Sequence, residues 1–192
     1  MRNKVILVDC DGVLLDWTHS FTQWMHRHGY VEKTTDTYDI AERYDISTAD
    51  SKRLIAMFNE SAAIRKLSPF KDAIKYVKKL HAEHGYVFHA ITSLSTESYA
   101  QHLRTKNLQE LFGKTAFEKF IYLGTAAPKD EALKPYKDTE CFWIEDLPTN
   151  VDVGCQLGLD GILLAHSYNS GYDGTADRVQ NWKEIYNIIT GE

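Results

Sequence analysis

Val5-Ile6-Leu7-Val8-Asp9-Cys10-Asp11-Gly12-Val13 is the stretch on which the fold turns. Four apolar residues run without alternation, the pattern of a strand buried on both faces. Two carboxylates follow, two residues apart. At the carboxyl end of such a strand both side chains can face the crevice in which open α/β sheets bind their ligands. Left alone they repel each other. A divalent cation removes that repulsion, and Mg2+ suits it, taking a few carboxylate oxygens with waters and substrate phosphate. Gly12 lets the chain turn sharply without a Cβ clash.

Working outward, short runs rich in β-branched or aromatic residues at 86–91, 120–123, 141–144 and 161–164 read as further buried strands. Between them lie amphipathic stretches. The clearest is 71–84, where Ala73, Ile74, Val77, Leu80 and His81 share a face and Gly85 supplies the stop. Segments 95–106, 149–157 and 182–189 read as helices too. Strands alternating with helices predict a doubly wound parallel α/β sheet, Rossmann-like in its layers. Residues 16–67 break the alternation: 16–28 and 48–59 have helical spacing, 48–59 with Ser47 or Thr48 as its cap, and no strand is legible. The expected organisation is an α/β core of 1–15 and 68–192 with a helical insertion of 16–67. The stretch 168–175, with two glycines, an Asn and an Asp, reads as a loop.

The chain has 192 residues, 22 Lys and Arg against 27 Asp and Glu, and a formal charge of -5. That balance gives no general field for a nucleic-acid backbone, so duplex binding is not expected. A local site for a small anion remains compatible with it, since one lysine and a few N–H groups set the potential there. Cys10, Cys141 and Cys155 have no metal-site spacing and suit reduced thiols. The first apolar run is too short for a signal peptide and no segment is long enough to span a bilayer, so a cytoplasmic protein is expected.

Asp-x-Asp-Gly-Val behind an N-terminal strand resembles the first motif of the haloacid dehalogenase superfamily. The resemblance implies that Asp9 attacks phosphorus to form an aspartyl-phosphate, that Asp11 protonates the leaving oxygen and later activates water, and that the metal is held by Asp9 and by the backbone carbonyl of Asp11. The dehalogenase branch lacks the second Asp and uses no metal, so phosphate chemistry is favoured. Thr92-Ser93, at the end of the second strand and before a helix, then resembles the second motif. A hydroxyl and helix N-terminal N–H groups there can hold phosphate oxygens, and the resemblance makes Thr92 the phosphate-binding residue with Ser93 assisting. The third motif is a lysine that neutralises charge in the transition state. Lys129, opening a helix behind the third strand, is the preferred candidate, and Lys134, in a Lys-Pro pair, is the other. The fourth is Glu145-Asp146-Leu147-Pro148-Thr149-Asn150. Asp146 is expected to ligate the metal directly, Glu145 through water or as an outer partner, and Asn150 to orient the carboxylates.

The resemblance covers most of the chain and places the insertion where the family carries a helical cap. Trp17, Trp24, Tyr38, Arg43 and Tyr44 are its candidate specificity residues, though cap core is the more frequent role of such side chains. His19, His26 and His28 read as surface histidines. His166, Tyr168, Asn169 and the Arg178-to-Trp182 stretch resemble the ends of small deoxyribonucleotidase-like and phage-type members. The expectation is a Mg2+-dependent phosphatase of a small phosphate monoester, with a nucleoside monophosphate preferred over a sugar phosphate or phosphoglycolate. The alternative from another class is a binding module that kept the fold and lost activity.

Overall fold

The computed structural model describes residues 4–192. Six strands form one parallel sheet in the order β3-β2-β1-β4-β5-β6, with β1 Val5–Val8, β2 Val87–Ser93, β3 Phe117–Leu123, β4 Phe142–Glu145, β5 Asp160–Leu164 and β6 Asp177–Val179. From β1 the chain winds outward through β2 and β3, then crosses back to β4 and winds the other way. The switch point lies between β1 and β4, and a crevice opens beyond their carboxyl ends.

Side chains sort onto two faces with the period of two that a strand imposes. Ile6, Val8, Phe88, Ala90 and Ile144 join one apolar cluster, and Leu7, Ile91, Trp143 and Leu163 the other. Helices α4 (Ala73–His84), α5 (Ser98–Phe112) and α8 (Trp182–Thr190) contribute to the first; α6 (Asp130–Leu133) and α7 (Pro148–Gln156) to the second. Gly85 ends α4 at φ 71°, the left-handed conformation that glycine adopts without strain. Trp182, fully buried, docks α8 by donating its Nε1–H to the Val13 carbonyl at 2.9 Å. β6 was not legible beforehand: its three residues pair with β5 behind the Gly-rich loop.

Segment 16–67 contains α1 (Trp17–Arg27), α2 (Ile40–Tyr44), α3 (Thr48–Asn59) and a 3-10 turn at Ala62–Lys66. Asp16 caps α1 by accepting the His19 N–H at 2.9 Å, and Ser47 caps α3 through the Asp50 N–H at 3.0 Å. The chain leaves and returns along adjacent backbones: the Asp16 N–H donates to the Ser68 carbonyl at 2.8 Å and the Phe70 N–H to that of Leu14 at 3.1 Å. Phe21, Trp24, Tyr44 and Phe58 are buried together, so most of the segment's aromatics hold its own interior. Arg43 is spent on an ion pair with Glu32, and Tyr38 is the aromatic left 57% exposed. The segment also grips the end of β2: Asn59 takes the Trp17 indole N–H on its Oδ1 and gives its own amide N–H to the Leu94 carbonyl at 3.0 Å. Among the described residues no helix is long and apolar enough to cross a membrane.

Candidate active site

The carboxyl ends of β1, β2 and β4 bring Asp9, Thr92 and Glu145 to the mouth of the switch-point crevice. Lys129, 3% exposed, stands between two of them: its Nζ lies 2.8 Å from Asp9 Oδ1 and 2.6 Å from Glu145 Oε1. The second lysine that the sequence offered stands apart. Lys134 is exposed and its partner is the neighbouring Glu131.

Glu145 is fully committed. Oε1 accepts from Lys129 and from Asn150 Nδ2 at 2.7 Å, while Oε2 accepts the backbone N–H groups of Asp146 at 2.6 Å and Leu147 at 2.7 Å. Burial opposes its ionisation, yet Lys129 and these N–H donors outweigh that and hold the carboxyl below its ordinary range. Glu145 therefore anchors Lys129 rather than offering a free oxygen. Asn150 acts on Glu145 in the same way.

Asp9 is buried, and its Oδ1 also accepts the Cys10 N–H at 2.7 Å. Burial, then the charges of Glu145 and Asp11, push its carboxyl up to about 7 against the pull of Lys129. Burial likewise drives the Cys10 thiol up to about 12, so at neutral pH the thiol stays protonated. Asp146 is raised well above the carboxylate range by burial, then by Glu145 and Asp9. Asp9, Glu145 and Asp146 bring one oxygen each within 4.8 Å of one another, the one such acidic group among the described residues. Three buried carboxylates against the single charge of Lys129 leave negative charge uncompensated, and a cation fits that deficit. With Glu145 occupied, Asp9 and Asp146 are the residues that would hold it. Among the described residues His19, His26 and His28 form no comparable group.

Gly12, at φ 79°, is required where it stands: a Cβ there would lie 2.1 Å from Asp146 Oδ2. Ser93 ties the end of β2 to the loop before Lys129, its hydroxyl donating to the Ala127 carbonyl at 2.7 Å. The neighbouring Thr92 hydroxyl is buried and has no partner among the described residues. Leaving such a group unsatisfied costs about 1–3 kcal/mol, and an acceptor oxygen of a ligand would relieve it.

Asp11 departs from the expectation that both carboxylates of the first motif face one centre. The strand ends at Val8 and the chain then turns, Leu14 and Leu15 N–H both bonding the Cys10 carbonyl, so the alternation of a strand no longer sets its direction. Its carboxylate instead lies in the fork of Arg104 from α5, with Nη1 to Oδ1 at 2.7 Å and Nη2 to Oδ2 at 3.3 Å. Arg104 was missed in the sequence. Its signal was position: it shares a helix face with Ala100, Leu103 and Leu108, and a charge there is either paired or costly. The two partners differ in exposure, Arg104 being fully buried and the Asp11 side chain 22% exposed. Asp11→Asn is therefore expected to cost more stability than Arg104→Met. Breaking a buried pair from one side costs about 3–5 kcal/mol, and relief of the repulsion between Asp11 and Asp9 offsets only part of it. Urea unfolding in EDTA should rank the Asp11→Asn, Arg104→Met double variant above Asp11→Asn alone. Equal stability of Asp11→Asn and wild type would show that the fork carries little.

Comparison with known proteins agrees with this architecture. The family model described as 5' nucleotidase, deoxy (pyrimidine), cytosolic type C protein matches residues 3–191. An uncharacterized 32.4 kDa protein in the Gp30-rIII intergenic region of enterobacteria phage T4 is 27% identical over 194 residues, covering 96% of this chain and 69% of its own length. Among solved structures, a haloacid dehalogenase-like family hydrolase from Streptococcus pneumoniae superposes with a TM-score of 0.67 at 15% identity, over 96% of this chain and 97% of the other. A haloacid dehalogenase family hydrolase from Deinococcus radiodurans, with bound phosphate and sodium, gives 0.61 at 20% identity, over 98% and 95%. At such identities the structural likeness concerns the fold.

Proposed function

Since the chain belongs to the family described as 5' nucleotidase, deoxy (pyrimidine), cytosolic type C protein, and is a phosphatase-type hydrolase, we propose that it hydrolyses a small phosphate monoester by way of a phosphoryl group carried on Asp9. The preferred substrate class is a nucleoside monophosphate, in keeping with the family's description, and the enzyme is taken as cytoplasmic. The observation that carries the reading is Lys129 held between Asp9 and Glu145, which fixes a nucleophile and a positive charge at one point of a buried crevice.

Oδ1 of Asp9 is bound by Lys129 and the Cys10 N–H, which orients the carboxylate and leaves Oδ2 to attack phosphorus. As that P–O bond forms, the bond from phosphorus to the leaving oxygen breaks. Lys129 and the free Thr92 hydroxyl stabilise the charge gathering on the phosphoryl oxygens. To give a proton to the leaving oxygen, Asp11 has first to leave the Arg104 fork, whose longer arm is the 3.3 Å contact to Oδ2, turn toward the crevice and take up a proton. It then takes a proton from the water that cleaves the aspartyl-phosphate, which releases inorganic phosphate and restores Asp9. Asp9 and Asp146 are the residues that would hold a divalent cation, taken here as Mg2+, which when bound would neutralise phosphoryl charge. Segment 16–67 is the cap, excluding water and meeting the leaving group.

The test is phosphate release from nucleoside monophosphates, sugar phosphates and phosphoglycolate, with Mg2+ and with EDTA. Mg2+-dependent release, highest for a nucleotide, is expected. Full activity in EDTA would overturn the metal assignment, and no release from any of these esters would overturn the substrate class.

A further inference from the structure

His166, Tyr168, Asn169 and Arg178 form a unit that the mechanism above leaves unused. They lie beyond β5: His166 caps the short 3-10 turn Ser167–Asn169, Tyr168 and Asn169 lie on it, and Arg178 is on β6. Asn169 is 2% exposed and its amide is saturated. Its Nδ2 donates to the carbonyls of Asp146 and Leu164, both at 2.8 Å, and its Oδ1 accepts from the His166 N–H at 2.9 Å and Arg178 Nε at 3.1 Å. Arg178 also bonds the carbonyls of Asn169 at 3.1 Å and His166 at 3.3 Å. The turn is thus fixed from below, and everything it presents upward is fixed with it.

What it presents is aimed at two loops of the site. The His166 ring donates from Nε2 to the Gly12 carbonyl at 2.7 Å. The Tyr168 hydroxyl donates to Asp146 Oδ2, the oxygen already packed against Gly12. The two rings are parallel, 4.9 Å apart with 5° between their planes, so each limits the movement of the other. The outer side of Tyr168 is met by Tyr38, edge-on at 5.1 Å, from the chain just before α2. Tyr38 is the exposed cap aromatic, with no role in the interior of its own segment.

We propose that Tyr168 is the positioning residue of Asp146, and that Tyr38 makes its grip depend on where the cap lies. This rests on the reading of Asp146 as a metal ligand. A monodentate carboxylate can rotate about its last torsion, and a donor on one oxygen removes that freedom and presents the other to the ion. Partners of this kind carry about 10- to 100-fold in metal affinity. The hydroxyl in turn is aimed by its ring, and the ring is held between His166 and Tyr38. An edge-to-face aromatic contact supports a further factor of roughly 3–10. A cap that swings away removes Tyr38 from Tyr168 and loosens the ion's ligand; a cap that closes restores both. Substrate and metal then favour the same closed arrangement, which couples their binding beyond their direct contact at the phosphoryl group.

The experiment is Mn2+ binding to the full chain, stripped with EDTA and free of substrate, read by the electron paramagnetic resonance of unbound Mn2+. Wild type is compared with Tyr168→Phe, Tyr38→Ala, their double variant and Asp146→Asn. Tyr168→Phe keeps the ring that packs on His166 and removes only the donor, and Tyr38→Ala changes an exposed side chain. The expected result is 10- to 100-fold weaker binding for Tyr168→Phe and about 3- to 10-fold weaker for Tyr38→Ala. The double variant should be no weaker than Tyr168→Phe, since Tyr38 acts through the hydroxyl that is gone. Tyr168→Phe binding within twofold of wild type, or more tightly, while Asp146→Asn loses the ion, overturns the proposal and leaves the metal site standing. Full affinity in Tyr38→Ala overturns the link to the cap. Unchanged binding in Asp146→Asn overturns the metal reading itself.

Discussion

Asp9→Asn is expected to lower Mg2+-dependent phosphate release about 10^4-fold, which corresponds to ~5 kcal/mol of barrier. The amide matches the carboxylate in size and keeps an oxygen for Lys129, so the geometry of the crevice survives; what disappears is the nucleophile. No phosphoryl group should then be trapped on the protein after acid quenching, whereas wild type should show one. The fold provides an internal control. A carboxyl whose value in the folded protein is about 7, against 3.8 for the free group, favours folding only while protonated. Its contribution is full below about pH 4 and is lost as pH rises through 7. Asparagine carries no such loss. Asp9→Asn should therefore melt no lower than wild type in EDTA at pH 8, and its advantage should shrink toward pH 4. Inactivity together with retained stability assigns the residue to chemistry. Retained turnover would remove Asp9 as the nucleophile whatever the melting curves show.

The sheet was legible because its central strands are buried on both faces, and a short unbroken apolar run bounded by polar residues suits such a strand better than a surface helix. Val5–Val8 and Phe142–Glu145 are such runs, each leading into an acid at the switch point. β6 was hidden because Asp177–Val179 has a charged and partly exposed start and is a strand only by virtue of β5 beside it. At the site, the acids and the hydroxyls were readable from their place behind strands. The direction of Asp11 was not, because a turn rather than a strand orients it and its partner lies 93 residues away on α5. His166, Tyr168 and Asn169 were noticed without a role, since sequence cannot show a ring parallel to another or an amide under a loop. The cap aromatics sorted themselves by burial: Trp24 and Tyr44 lie inside, and Tyr38 outside.

The two lysines pose the question that sequence left open, and their surroundings set them apart. Lys134 is exposed beside Glu131, and ion pairs of that kind are screened by water. Lys134→Ala is expected to change the rate by less than about twofold. Lys129 is withdrawn from solvent, which alone would favour the neutral amine; Asp9 and Glu145 outweigh this and hold its ammonium above the ordinary lysine range. The charge is therefore present throughout the working pH, in a crevice where water does little to weaken it. Lys129→Ala removes the cation placed against both carboxylates, so repulsion between Asp9 and an incoming phosphoryl group goes uncompensated. A loss of about 10^3-fold in kcat is expected, or ~4 kcal/mol. Part of any effect must come from stability, since Asp9 and Glu145 are left buried without their partner. Lys129→Met, which fills the same space, separates the two: it should restore more of the melting midpoint than of the rate. If Lys129→Met recovers most of kcat, the lysine serves the fold; if only its stability returns, the ammonium belongs to the reaction.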